Sequence, residues 1–189
     1  MEKLITVVVV LMLGAFLMNS YADAQRLNSC LGKKERVTRL QLYLQDLVGG
    51  ENRTVWHVAQ SDLTDVLPSA FGRVAVLDNL VTTGPEFESQ QVGRMQGLIA
   101  LADLHEKALA MLLNIVFTEG EFKGSTLSIL GRNPLFDKVR EVPIVGGTGA
   151  FRMARGYVIT KTYSKDETRI RDVYEYNIVV FHMDDDVTI

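Results

Sequence analysis

The polar residue that most constrains what this chain can do is Asp46. Leu40, Leu42 and Leu44 alternate with Gln41, Tyr43 and Gln45, the pattern of a half-buried strand. The same period of two places Asp46 on the leucine face. A carboxylate there is expensive to bury without a partner. Two readings stay open: the strand has ended by Asp46, or the carboxyl works inside the fold. Desolvation pushes such a group's pKa up and a nearby cation pulls it down. An inward Asp46 is therefore a general acid if burial dominates, or a base and anchor if a cation is close. The other polar candidates, Asn133 and Arg140, lie ahead of a glycine-rich hairpin. An asparagine offers both a donor and an acceptor. An arginine donates without titrating, although an ordinary surface arginine fits the same local sequence.

Other chemistries find little support. His57, His105 and His182 are scattered, and none has a second His or Cys two or four residues away, so no metal site is implied. There is no Gly-x-Ser-x-Gly elbow, no paired Cys and His in a suitable context, and no dinucleotide fingerprint opening a helix. No cofactor or redox centre is expected. Gly146-Gly147-Thr148-Gly149 looks superficially like a phosphate loop, but alternating residues rather than a helix start follow it. It reads as a hairpin turn, with Phe151, Met153, Arg155, Tyr157 and Ile159 on one face of the strand behind it. Twenty basic residues against 23 acidic ones leave no basic face for nucleic acid.

These residues must be positioned by strands. Besides the Asp46 stretch, strand patterns occupy 54–60, 72–78, 92–103, 125–130, 140–145, 150–163 and 173–182, with 131–134 read as a loop. Residues 101–117 are ambiguous. Their Leu, Ala and Met content favours a helix by propensity, but the flanking strands favour a hairpin that turns at 103–107 and returns as a strand over 108–118. Short strands with turn signals between them predict an all-β single domain, an eight-stranded antiparallel barrel, whose interior is just wide enough for one small ligand.

Lys3 precedes an apolar run from Leu4 to Met18, and Ala22 and Ala24 have the spacing of a signal-peptidase site. Residues 1–24 are therefore expected to be a cleaved leader. The run is short for a membrane span, so no membrane attachment is expected of the mature form. Residues 25–37 read as a flexible arm, 38–182 as the domain and 183–189 as an acidic tail. Asn52-Arg53-Thr54 is a glycosylation sequon, which agrees with secretion. Cys30 is the one cysteine and has no intrachain partner. It is either idle or pairs between chains.

Several stretches together resemble one family. Leu42-Tyr43-Leu44-Gln45-Asp46-Leu47, Val92-Gly93-Arg94-Met95-Gln96-Gly97, Phe122-Lys123-Gly124-Ser125-Thr126-Leu127, Gly131-Arg132-Asn133-Pro134, Val139-Arg140-Glu141 and Gly147-Thr148-Gly149-Ala150-Phe151-Arg152-Met153-Ala154-Arg155-Gly156-Tyr157 are similar, in order and spacing, to signatures of the plant dirigent family. The resemblance implies an eight-stranded barrel of the dirigent and allene-oxide-cyclase type. It also implies a homo-oligomer, a trimer rather than a dimer, secreted to the apoplast or cell wall. Family members bind phenylpropanoid radicals made by a separate laccase or peroxidase and steer their coupling toward lignan-type products. Some relatives, the pterocarpan synthases, instead remove water from an isoflavanol through a quinone methide. A non-catalytic apolar-ligand binder is a third reading.

The resemblance offers Asp46 and Arg140 as acting together in the pocket. Asn133 stands where lignan-forming members carry Asp, and Ile99 and Leu101 stand where they carry tyrosines. These departures, with the Gly-Arg-Asn-Pro loop, are similar to a branch distinct from the lignan-forming one. With Leu44 and Thr162, Ile99 and Leu101 are the expected substrate contacts. The expected function is guidance of phenoxy-radical coupling, with dehydration as the alternative.

Overall fold

The computed structural model describes residues 35–166, 168 and 170–183, together with Met18. The leader cleavage site, Cys30, the arm up to residue 34 and the tail over 184–189 lie outside the described residues. Nine strands follow one another: β1 (Glu35–Leu47), β2 (Val55–Ala59), β3 (Val74–Thr82), β4 (Gln91–Leu101), β5 (Ala108–Phe117), β6 (Thr126–Pro134), β7 (Arg140–Thr148), β8 (Arg155–Lys165) and β9 (Arg171–Met183). Their spatial order is β1-β9-β8-β7-β6-β5-β4-β3-β2, and every pairing is antiparallel. Tyr43–Gln45 of β1 also pair with Leu80–Thr82 of β3. That contact closes eight strands into a barrel, as the sequence leads one to expect. The short β2 continues along the same edge of β3, outside the closure.

The ambiguous segment is a hairpin. β4 and β5 pair from Gly93 opposite Phe117 to Leu101 opposite Leu109. Met111, Leu113, Ile115 and Phe117 are buried, while Leu112 is 51 % exposed. Burying one apolar face in the barrel overrides the helix propensity of these residues.

Four expectations need correction. β1 begins at Glu35 and runs through Leu47, so residues 35–37 are strand rather than arm, and the strand has not ended at Asp46. Met183, expected in the tail, closes β9. Residues 131–134 are not a loop but the end of β6, paired with Ala108–Met111 of β5. Pro134 is tolerated there because it is the last residue of the strand. Finally, the glycine turn sits later than its pattern suggests. β7 continues to Thr148, a 3-10 turn covers Gly149–Phe151, and β8 starts at Arg155. Phe151 is completely buried and Tyr157 is 38 % exposed, so they share no face.

Close packing at that turn explains the shift. Gly149 adopts φ +60°, a left-handed conformation that side chains resist. A Cβ on Gly147 would lie 2.6 Å from the Thr126 carbonyl oxygen and 2.7 Å from that of Phe151. Neither backbone atom can step aside. Gly147→Ala is expected to destabilise the barrel by about 1–3 kcal/mol, as overpacking does. Denaturant melts check this, and an unchanged midpoint would contradict the packing argument.

The turn drives Phe151 into one end of the barrel. Its ring centroid lies 5.4 Å from Phe117, 4.8 Å from Phe122 and 5.3 Å from His182. These rings fill that end. Above them the core is apolar and tightly buried: Met95, Ile115, Leu127, Ile129, Val142, Val158, Ile178 and Val180 are at most 1 % exposed. His182 is the polar ring among those at the first end, bonded to Thr38 at 2.9 Å; a second group of polar side chains enters the interior toward the opposite end.

Candidate functional site

The last turns of β1, β4 and β6 and the first of β5, β7 and β9 meet at that opposite end. Period two carries the inward face of β1 from Leu42 and Leu44 to Asp46, and that of β6 from Leu127 and Ile129 to Asn133. A cavity opens among Leu44, Asp46, Leu77, Asn79, Ile99, Leu109, Met111, Leu113, Asn133, Leu135, Thr160, Tyr174 and Tyr176, with about 60 Å³ of free space. Of the residues expected to contact a substrate, Leu44 and Ile99 line it. Leu101 lies beyond it, at the end of β4 opposite Leu109. Thr162 lies beside it, accepting a hydrogen bond from Arg140.

Asp46 is half-buried, and its partner is not a cation. Oδ1 accepts a hydrogen bond of 2.6 Å from Nδ2 of Asn79 on β3. Burial pushes the Asp46 carboxyl up to about 6, above its ordinary 3.8; the Asn79 bond opposes this, and Asp172 across the strand pair adds to it. Among the open options for Asp46, desolvation has the larger effect, so the group holds a proton under mildly acidic conditions.

Arg140 opens β7, opposite Thr160 of β8, and is 2 % exposed. It forms no ion pair with Asp46 or with any other described carboxylate. Its Nη2 donates to Thr162 Oγ1 at 3.1 Å, its guanidinium lies 5.7 Å from the Tyr174 ring centroid, and its Nε is buried with no partner. Tyr174 and Tyr176 feel both charges: Asp46 raises their pKa values and Arg140 lowers them, while burial dominates and holds both phenols well above the ordinary range. The tyrosines of β9 thus lie within electrostatic reach of both groups. Asn133 is 6 % exposed and its Oδ1 is buried without a donor. That oxygen is free to accept a hydrogen bond from a ligand.

Sequence reasoning missed Asn79, Asp172, Tyr174 and Tyr176. A signal existed for three of them. Tyr174 and Tyr176 alternate in step with Ile178 and Val180, and Asn79 sits between Leu77 and Val81 as Asp46 follows Leu44. Ending that strand at residue 78 hid Asn79. Asp172 lies just outside the expected final strand.

The architecture is similar to known proteins. A family model described as dirigent-like protein matches residues 37–181. Dirigent protein 21 of Arabidopsis thaliana is 45 % identical over 150 residues, covering 79 % of this chain and 79 % of its own. Pterocarpan synthase 1 of Glycyrrhiza echinata is 43 % identical over 151 residues, covering 79 % of this chain and 80 % of its own. A solved pterocarpan synthase dirigent protein superposes with a TM-score of 0.72 at 44 % identity, over 79 % of this chain and 90 % of that one.

Proposed function

The chain belongs to the dirigent-like protein family, and from that premise we propose that it removes water from a phenolic substrate through a quinone methide. The observation that carries this reading is the raised carboxyl of Asp46 at the edge of an apolar cavity. Protonated Asp46 delivers its proton to a benzylic hydroxyl. The carbon–oxygen bond breaks, and the hydroxyl leaves as water. The electron pair comes from a phenolic oxygen on the same ring, whose own proton passes to solvent water, so the product of this step is a neutral quinone methide. A second hydroxyl of the same molecule then adds to the electron-poor carbon. Its proton returns to the Asp46 carboxylate, and the phenolic oxygen takes a proton back from solvent water, which restores the phenol. The net change is loss of one water, with no oxidant or reductant. Arg140 and Asn133 are the groups we assign to hold the phenolic oxygens as their charge changes.

The likeness to pterocarpan synthases supports dehydration. Radical coupling is the second reading, favoured by relatives named simply dirigent proteins. In either case the free space is below the roughly 150 Å³ that holds one benzene. Met111, Leu109 and Leu135 must turn aside to admit a ring, and methionine does so readily. The test supplies an isoflavanol with no oxidant and, separately, a monolignol with a one-electron oxidant, with chiral chromatography of the products. Ring-closed product from the first mixture is expected. Enantiomeric excess in the second alone would replace dehydration with radical guidance, and a separate laccase or peroxidase would then be required.

We assign this activity to the cell wall or apoplast. The leader pattern and the sequon support that assignment, and Asn52 is exposed between β1 and β2. Among the described residues, no helix is long and apolar enough to cross a membrane. We assign self-association as a trimer on the family resemblance, and the outer surface supports association of copies. Trp56, Val76, Leu98, Leu112 and Leu130 lie directly opposite one another across five strands, each 39–51 % exposed. An apolar row of this length is best covered by another copy of the chain.

A further inference from the structure

Asp46 is held by a chain of hydrogen bonds that begins at the residue next to it. The Leu47 N–H donates to Thr54 Oγ1 at 3.3 Å. The Thr54 hydroxyl then donates to Asn79 Oδ1, and Asn79 Nδ2 donates to Asp46 Oδ1 at 2.6 Å. Thr54 is itself fixed at both ends, its N–H bonded to the Leu47 carbonyl at 2.9 Å and its carbonyl to the Asp78 N–H at 3.0 Å. Asn79 is fully buried. The direction of the chain follows from donor counting. An ionised Asp46 carboxylate can only accept, so Asn79 turns its nitrogen to Asp46 and its oxygen to Thr54. The Thr54 hydroxyl, which accepts from Leu47, gives its one proton to that oxygen. With Oδ1 of Asp46 occupied by that N–H, the carboxyl proton resides on Oδ2.

We propose that Asn79 and Thr54 are positioning residues for Asp46, deciding which of its oxygens carries the proton and faces the cavity. Thr54 then has two roles, because it is also the third residue of the Asn52 sequon. The charged and titratable groups facing Asp46 are Asp172, Tyr174 and Tyr176 on β9, and Arg140 on β7 acts on the same two tyrosines; Leu77 and Ile99 bring none. None of these lies in the chain from Leu47 to Asn79, so changes at Thr54 or Asn79 reach the carboxyl through hydrogen bonding. The inference rests on Asp46 being the group that meets substrate, and its test reads the carboxyl without substrate.

The experiment is a carbon-13 NMR titration of the aspartate carboxyls in the secreted protein, with the Asp46 resonance assigned by its loss in Asp46→Asn. The native midpoint is expected near 6. Asn79→Leu removes the bond that favours the ionised form and should raise the midpoint by about one pH unit. Thr54→Val should raise it by less, and Thr54→Ser should restore it. Asn52→Gln, which removes the sequon and keeps Thr54, should leave it in place. An unmoved midpoint in a folded Asn79→Leu protein would overturn the inference. If that variant does not fold, equal midpoints in Thr54→Val and the native chain would overturn it, as would a change in Asn52→Gln matching that in Thr54→Val. A moved midpoint with no product from any phenol would retire the proposed reaction and leave the positioning intact.

Discussion

Asp46→Asn is expected to abolish product formation and, at pH 7, to raise the melting temperature. The two effects share one cause. In the folded protein the carboxyl titrates near 6, against 3.8 ordinarily. Between those values the folded chain binds a proton that the unfolded chain releases, so stability falls as pH rises through that window. Above about pH 6 the full cost is present, an upper figure of about 3 kcal/mol for a gap of two pH units. An asparagine has no such cost, and its carbonyl still accepts from Asn79. The stabilisation should therefore appear at pH 7 and vanish at pH 3. Activity should fall at least about 100-fold, the usual worth of a general acid. In the native protein it should decline as pH rises through 6. Thermal melts across pH 3–8 and product assays over the same range check both. A variant less stable than the native chain at pH 7 would mean that Asp46 is held by a cation after all.

Arg140→Met is the second large expectation, and its two effects also run in opposite directions. The guanidinium is buried with one hydrogen bond to Thr162, an aromatic ring beside it and an unpartnered Nε. Desolvating a charge on those terms costs several kcal/mol. Methionine fills a similar volume without a charge, so the variant is expected to melt higher, by the equivalent of about 1–4 kcal/mol. Product formation should drop by about 100-fold or more, because the donor for developing negative charge is gone. Normal turnover with a lower melting temperature would show that Arg140 serves packing alone.

Much of this was legible in the chain because strands report themselves through period two. The leucines before Asp46 point inward, and so does Asp46. The inward faces of β5 and β9 can be read in the same way. The partner of Asp46 was harder to foresee. Burying a carboxyl calls for a donor, and a cation is the obvious one, so Arg140 was the natural expectation. A neutral amide meets the same need with less desolvation. Asn79 lies 33 residues away, in a strand that runs on to Thr82, beside the Gly84-Pro85 turn, past residue 78, where its pattern was expected to end. Asn133 was placed in a loop because Gly131 and Pro134 bracket it; both residues fit a strand end. The glycine turn was misread for a related reason. Gly146 and Gly147 permit a reversal, but a Cβ on Gly146 would meet nothing, and the role of Gly147 is to let the backbone of Thr126 and Phe151 come close.

The rings of Phe117, Phe122 and Phe151 pack together at one end of the barrel, so among the described residues the cavity beside Asp46 has its door at the other end. Substrate, water and product all pass the same rim, where Asp46 and Asp172 stand. Whichever end of a molecule enters first reaches Met111 and Leu113, and it has no room to reverse once inside. For the proposed dehydration this means that handedness would be chosen on the way in, before any bond breaks. The released water would form on the door side of the ring and leave ahead of the product. Turnover would then be a matter of backing out, with a bulky product its own inhibitor until it leaves.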